Sequence, residues 1–361
     1  MRRNGWLAIA ALVGAAGYGL WWTGGPSGVP SRPSDAVIPT VPADAWRITF
    51  AGDTLIGDGA SKRIRKHGVD WVFSQLGDLI RGDAFVLNLE APLTTLRRDD
   101  VPGSERAWTY DMPPSTAGDL LRLGVTHVGF ANNHSLDRGE QGLLDTLASS
   151  RDAGLPLFGA GADRASAGAP LLLDTPHGRV AVLAFTYAKA ESQEATEDRP
   201  GVVFLGPRTV REGMQRARTA GADHVIGFVH WGRNYSAISN WQRHAARWFA
   251  NAGYDAVIGH GPHVQQPVVR LKDTLIVYSL GNFVFNSPGR FAVFDQPTYG
   301  LTATVVVAAG GPLSVELRCV QADNQKTNYR PRPCSATESA DAFGRLGGLV
   351  LQDDDRGVIP W

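Results

Sequence analysis

The segment HVGFANNHSLDRG, residues 127–139, runs from apolar residues into Asn132, Asn133 and His134, with Asp137 three residues on. Amide oxygen, imidazole nitrogen and carboxylate are the groups that bind metal ions, hold oxyanions and move protons. The same kind of ending recurs along the chain. ITFAGD closes on Asp53, FVLNLE on Glu90, IGFVHW on His230, AVIGHGPH on His260 and His263, and YSLGNF near Asn282. Asp and Glu supply hard anionic oxygen, His supplies neutral nitrogen and Asn a carbonyl oxygen. The set suits Zn, Mn or Fe better than an all-oxygen calcium site or an all-thiolate one. One or two such divalent ions would clamp a phosphoryl or similar oxyanion and activate a water. Asn133 would coordinate, His134 would face the substrate as acid or oxyanion donor, and Asp137 would orient its ring. Asn132 and Asn282 are candidates for substrate contact.

Each residue also has an ordinary reading. An Asp after a strand is usually a turn or cap residue, and Asn132–Asn133 fit a turn followed by a helix cap. His230 beside Trp231 fits a hydrogen-bonded core histidine. His127, His177, His224 and His244 stay in that class because they lie outside the strand-end pattern. GHGPH differs, since two histidines bracket a tight Gly-Pro turn. The weight rests on the conjunction of segments.

Such a conjunction needs strands that end together. From residue 46, short β-rich apolar runs alternate with amphipathic stretches. WRITFAG, AFVLNLE, HVGFANN, RVAVLAFTY, HVIGFVHW, DAVIGHG and TLIVYSLGNF read as strands, several of them apolar on both faces, as strands covered on both sides are. Residues 71–81, 139–153, 207–220 and 240–252 have helical spacing, the last ending before Gly253. The alternation predicts a layered α/β domain with much parallel pairing, and ligands of such sheets bind at the carboxyl ends of the strands. LTATVVVAA, Gly310-Gly311 and LSVELRCV read as an antiparallel hairpin.

The chain has 361 residues, 43% hydrophobic and 19% charged, with a formal net charge of zero. That composition is globular, and a neutral chain lacks the basic face that nucleic acid requires. KRIRKH, residues 62–67, reads as a solvated helix face. Arg2 and Arg3 precede an uncharged run over 6–22 that ends in Trp21-Trp22, which predicts an uncleaved membrane anchor in preference to a cleaved signal segment. The arginines would then stay in the cytoplasm and the body would be extracytoplasmic. Residues 23–45, rich in Pro, Gly and Ser, read as a tether. Cys319 and Cys334 are the only cysteines. They could pair or remain free thiols. Among the ten tryptophans, Trp108, Trp231 and Trp241 are candidates for a polymer groove, although tryptophan is more often core.

FAGDTLIGDG, LNLEAPLT, GFANNHSLDRGEQGLLDTL, FGAGAD, FVHWGRNYS, VIGHGPHVQQPV and IVYSLGNFVF together resemble the CapA family of bacterial capsule-synthesis proteins, associated with poly-gamma-glutamate. The likeness covers about residues 46–310, with 311–361 as a C-terminal strand and wrapping tail. It implies a layered α/β, calcineurin-like metallophosphoesterase-type fold, with central mixed sheets flanked by helices. It also implies metal ligands at Asp53, Glu90, Asn133, His230, His260 and His263, with His134 at the reaction centre; Trp231 toward substrate is a reading of the tryptophan pattern alone. The implied partners are an anionic polymer or phosphoester substrate, the membrane through the anchor, and other capsule-synthesis membrane subunits. The chain departs from the family pattern at Asn234, where an acid is usual, at Gly261, in place of a His, and at Leu55, where metallophosphoesterases carry a His. Those departures would thin one of two metal sites. The function implied is a metal-dependent hydrolase or transferase in synthesis or export of the polymer. The alternatives are a non-catalytic polymer-binding or export subunit with a relic site, and a phosphodiesterase unrelated to capsule.

Overall fold

Strand β1, Trp46–Leu55, is buried at every residue from Ile48 onward. A strand with both faces covered must lie inside a stack of layers, and the computed structural model places it there. The structure describes residues 37–101, 108–187, 193–287 and 299–361. The expected anchor over 6–22 lies outside them. Among the described residues no helix is long and apolar enough to cross a membrane. The expectation of a single-pass anchor with an extracytoplasmic body is therefore corrected: it has no support.

Parallel to β1 run β2 (Ala84–Leu89), β3 (His127–Gly129) and β4 (Leu157–Phe158), in that order. On the other side of β1 lie β13 (Asn282–Phe285), parallel, and the long hairpin of β14 (Tyr299–Ala308) and β15 (Gly311–Gln321), antiparallel. The last fifty residues extend this first sheet: β16 (Arg332–Pro333) and β18 (Arg356–Pro360) pair with β15, and β17 (Leu351–Asp353) pairs with β18. The Cys319–Cys334 disulfide fastens β15 to the residue after β16.

A second, six-stranded sheet has β7 (Gly178–Thr186), β9 (His224–His230), β10 (Ala256–His260) and β12 (Thr274–Leu280) in parallel. Its antiparallel edges are β6 (Leu171–Thr175) and β11 (Gln265–Leu271). Strands β5 (Ala160–Gly161) and β8 (Gly201–Val202) form a separate short pair.

Helices α1 (Ser61–His67) and α2 (Asp70–Phe73) follow β1; α3 (Thr116–Arg122), α4 (Gly139–Ala153) and α5 (Arg164–Ala167) follow in turn. Helices α6 (Pro207–Thr219) and α7 (Asn240–Ala252) make the crossovers into β9 and β10. Ser239 caps α7 by accepting from Gln242 N–H, and Gly253, with φ +82°, ends it.

The two sheets pack face to face, with Phe50 and Phe228 ring centroids 5.7 Å apart. Alternation along β7 sorts the layers. Val180, Val182 and Ala184 join the core between the sheets, and Ala181, Leu183 and Phe185 join a second core against Val210 of α6 and Phe249 of α7.

Two predicted elements are interrupted, each at a glycine. The helix expected over 71–81 is α2 and a separate 3-10 turn, Gly77–Leu79, because Gly77 takes φ +51°. Val72, Leu76 and Leu79 are buried nonetheless. The strand expected through Phe283 breaks at Gly281, φ +68°, and there the chain passes from the second sheet to the first. That passage brings Asn282 opposite Asp53.

Candidate metal centre

Asp53 enters the centre because β1 is bulged. Its register shifts between Ala51 and Asp53 against β2, and between Asp53 and Thr54 against β13. A bulge bends the strand and re-aims the side chain. Gly52 permits the close passage of the two sheets: a Cβ there would lie 1.9 Å from the Gly281 carbonyl oxygen. Asp53 N–H donates to that same oxygen at 3.0 Å.

The Asp53 carboxylate is wholly buried. Gly261 N–H donates to Oδ1 and Oδ2 at 3.1 and 3.0 Å, and Asn88 Nδ2 donates to Oδ1 at 3.0 Å. His260 Nδ1 and His230 Nδ1 lie 3.3 and 3.8 Å from Oδ1, and His263 Nδ1 lies 3.1 Å from Oδ2. The His230 and His260 Nδ1 atoms are 3.1 Å apart. Glu90, also wholly buried, places Oε1 3.7 Å from His263 Nε2.

These donor atoms fall into two groups, each with its atoms within 4.8 Å of one another: Asp53, His230 and His260, and Asp53, Glu90 and His263. Asp53 belongs to both. The rings are held by apolar neighbours, His260 against Phe228 at 4.3 Å and His263 against Phe285 at 4.6 Å. His263 takes φ +61°, a left-handed conformation in the turn that follows Pro262.

Burial by itself would raise the Asp53 carboxyl. Hydrogen bonds from His260 and His263, and the charges of His263 and His230, overcome it and hold Asp53 well below the usual carboxylate range. Burial pushes His230 well down, and His260 down, against the pull of Asp53. A divalent cation requires its carboxylate ligand deprotonated and its imidazole ligands neutral, and the directions for Asp53, His230 and His260 agree with that. The residues present therefore fit such an ion. Asn133 Oδ1 is buried and has no hydrogen-bond partner.

The remaining expected residues fall into place differently. His134 Nδ1 lies 2.6 Å from Asp137 Oδ2, which also accepts Tyr110 N–H at 2.8 Å. His134 is close enough to His230 for its charge to depress that ring's proton affinity. Asn132 is spent on structure: its Nδ2 donates to Asn88 Oδ1 at 3.0 Å and Leu89 O at 2.7 Å, and its Oδ1 accepts His134 N–H at 3.0 Å. Asn282 Oδ1 meets His263 Nδ1 at 2.9 Å and so orients a ring. Trp231, expected toward substrate, is corrected to a core residue. It is 1% exposed, packs with α7, and donates Nε1–H to Tyr278 O at 2.8 Å. Consecutive strand residues face opposite ways, so with His230 on the rim Trp231 points into the other layer.

Asn88 and the Gly261 N–H were not anticipated. Besides Asp53 and Asn132, Asn88 touches Glu90 Oε2 at 3.3 Å and His230 Nδ1 at 3.4 Å. Its signal lay in AFVLNLE, a lone amide inside an apolar strand, two residues before Glu90 and on the same face.

Residues 47–287 match the family described as bacterial capsule synthesis protein PGA_cap. The chain belongs to this family. Among its relatives, the capsule biosynthesis protein CapA of Bacillus anthracis is 29% identical over 244 residues, which is 66% of this chain and 59% of that protein. The PGA biosynthesis protein CapA of Bacillus subtilis (strain 168) is 30% identical over 252 residues, 69% of this chain and 66% of that protein. The chain thus spans less than two thirds of either relative. The calcineurin-like phosphoesterase YfkN of Bacillus subtilis overlays with a TM-score of 0.40 at 12% identity, covering 81% of this chain and 96% of that one, and no residue role is taken from it.

The three departures from the family pattern leave both donor groups at three residues each. Leu55 is core, paired with Phe285 of β13, and Asn234 is exposed. Gly261, φ +106°, lies where a Cβ would come within 2.8 Å of the Trp231 carbonyl oxygen.

Proposed function

We propose that this chain is a metal-dependent hydrolase or transferase acting on a phosphoester or anionic polymer in capsule biosynthesis. The observation that carries the reading is Asp53, a buried carboxylate common to two three-residue donor groups. Asp53, His230 and His260 would hold one divalent ion, and Asp53, Glu90 and His263 a second. Asn133 Oδ1, buried without a hydrogen-bond partner, would be the neutral oxygen donor. When bound, such ions supply Lewis acidity and a water acidified toward neutral pH.

The chain's own residues then do the following. Asn282 holds the His263 ring through its Nδ1, leaving Nε2 toward Glu90. Asn88 fixes the two carboxylates relative to each other. Asp137 accepts at His134 Nδ1, so the proton sits on that nitrogen in the neutral ring. Protonated at both nitrogens, His134 donates from Nε2 to the developing charge of a leaving oxygen. The capsule context comes from the family and from what its relatives are named for.

The test is metal content together with turnover of model phosphodiesters and a gamma-glutamyl polymer, for the wild type, His134→Ala and His260→Ala. The reading predicts bound metal in the wild type and less in His260→Ala. It predicts unchanged metal in His134→Ala, with turnover lower by about a hundredfold or more. Folded protein that binds no metal and turns over neither substrate would refute it.

A further inference from the structure

Helix α1, SKRIRKH, carries five basic residues in seven and no acid, in a chain whose formal net charge is zero. Lys62, Arg65 and Lys66 are exposed. At spacings of three and four they share one side of the helix, where like charges repel. Arg63 and Arg330 flank Trp71, their guanidinium carbons 6.0 and 5.3 Å from its ring, and Arg63 also lies 5.1 Å from the Tyr329 ring. His67 stacks on Trp71 at 6.0 Å.

Among the described residues, none of Lys62, Arg63, Arg65, Lys66 and Arg330 is ion-paired with a carboxylate, and Arg330 Nε is buried without a partner. Asp70, the acid just after the helix, is held by Arg122 at 2.5 and 2.8 Å. Several arginines elsewhere do have such partners: Arg122, Arg138, Arg179, Arg318, Arg332 and Arg356 all meet carboxylates.

The patch is joined by a short loop to the strand that carries Asp53. Helix α1 begins six residues after β1 ends. The intervening loop is tied to the same rim, with Gly57 N–H donating to Asn286 Oδ1 at 3.2 Å and Gly59 N–H to Asn286 O at 3.0 Å. Asn286 N–H in turn donates to Leu55 O at 3.0 Å.

We propose that α1, with Arg330, is the docking face for a polycarboxylate chain, which it delivers to the metal centre. This rests on the reading of the substrate as an anionic polymer. Rings hold the guanidinium groups of Arg63 and Arg330 by their faces, which leaves N–H edges for planar, two-point pairing with carboxylates. The exposed lysines and Arg65 add attraction that is strongest at low salt. A seven-residue helix presents a face roughly 10 Å long, enough to meet several successive anionic groups of an extended chain.

The experiment compares the full chain with the triple variant Lys62→Gln, Arg65→Gln, Lys66→Gln. Binding of fluorescently labelled poly-gamma-glutamate is followed by anisotropy across a salt series, with polyphosphate as a second probe. Metal content and turnover of a small phosphodiester are measured on the same preparations. The expected result is polymer affinity about tenfold or more weaker at low salt, with a shallower salt dependence, and unchanged metal and small-substrate turnover. Asp53→Asn should lose metal and turnover yet keep the polymer, which separates failure of the docking face from failure of the proposed chemistry. Equal polymer binding by the triple variant overturns the proposal. So does a wild type that binds no polyglutamate, or that binds polyphosphate alone.

Discussion

Glu316, in β15, and Asp53, in β1, are both carboxylates buried in the first sheet. Glu316 lies 3.1 Å from Arg356 and 3.7 Å from Arg81. Arg356 also pairs with Asp353, and Arg318 nearby pairs with Asp355. Guanidinium groups stay charged at any working pH, so this cluster answers its own negative charge. Asp53 has only amide N–H donors and histidines, and burial drives two of those histidines toward their neutral form. The protein supplies no permanent positive charge there. One cluster is charge-balanced within the chain, while the other has the donor set that could hold a cation from outside.

The sharpest way to break that contrast is Asp53→Asn. It removes the carboxylate common to both donor groups and should abolish bound metal and lower turnover by about a hundredfold or more. Elemental analysis and a phosphodiester assay read both. Metal retained in full would show that Asp53 is no more a ligand than Glu316.

Next in size is Glu316→Gln. It should leave metal and turnover unchanged and cost about 1–3 kcal/mol in urea unfolding, since buried pairs are costly to break and these arginines are partly solvated. Chelation should act the other way round. It should lower the wild-type melting temperature, with recovery on adding divalent ion in excess of its Kd, and it should leave Asp53→Asn unmoved.

The smallest effect concerns Glu338, which Arg332 contacts at 2.8 and 3.0 Å. Arg332 holds its carboxyl at about 2, below the ordinary 4.5. A depressed carboxyl contributes stability above its unfolded value and loses it as pH falls through the folded one. The advantage of wild type over Glu338→Gln, about 1 kcal/mol or less for so solvated a pair, should be present near neutral pH and fade between about 4.5 and about 2.

The rim was readable in the sequence because period-two strands with both faces buried leave few places for Asp, Glu and His, and those places were strand ends. Asp53, Glu90, His230, His260 and His263 do meet. Trp231 was misread because adjacency in sequence means opposite faces in a strand. The sheet change at Gly281 and the break at Gly77 were hidden, since a glycine's sign of φ is decided by tertiary contacts. The strands β16 to β18 were hidden too, being two to five residues long in a polar tail. Asn88 could have been found by asking what satisfies an amide in the middle of an apolar strand.

Asp53 is common to both donor groups, and the proposed function makes it a shared ligand of two cations. Crystals grown with Mn2+ and measured at the manganese absorption edge decide whether it is. Two anomalous peaks are expected, one beside Asp53, His230 and His260, the other beside Asp53, Glu90 and His263. Peaks confined to the surface, or a centre in which Asp53 touches no ion, would contradict that reading.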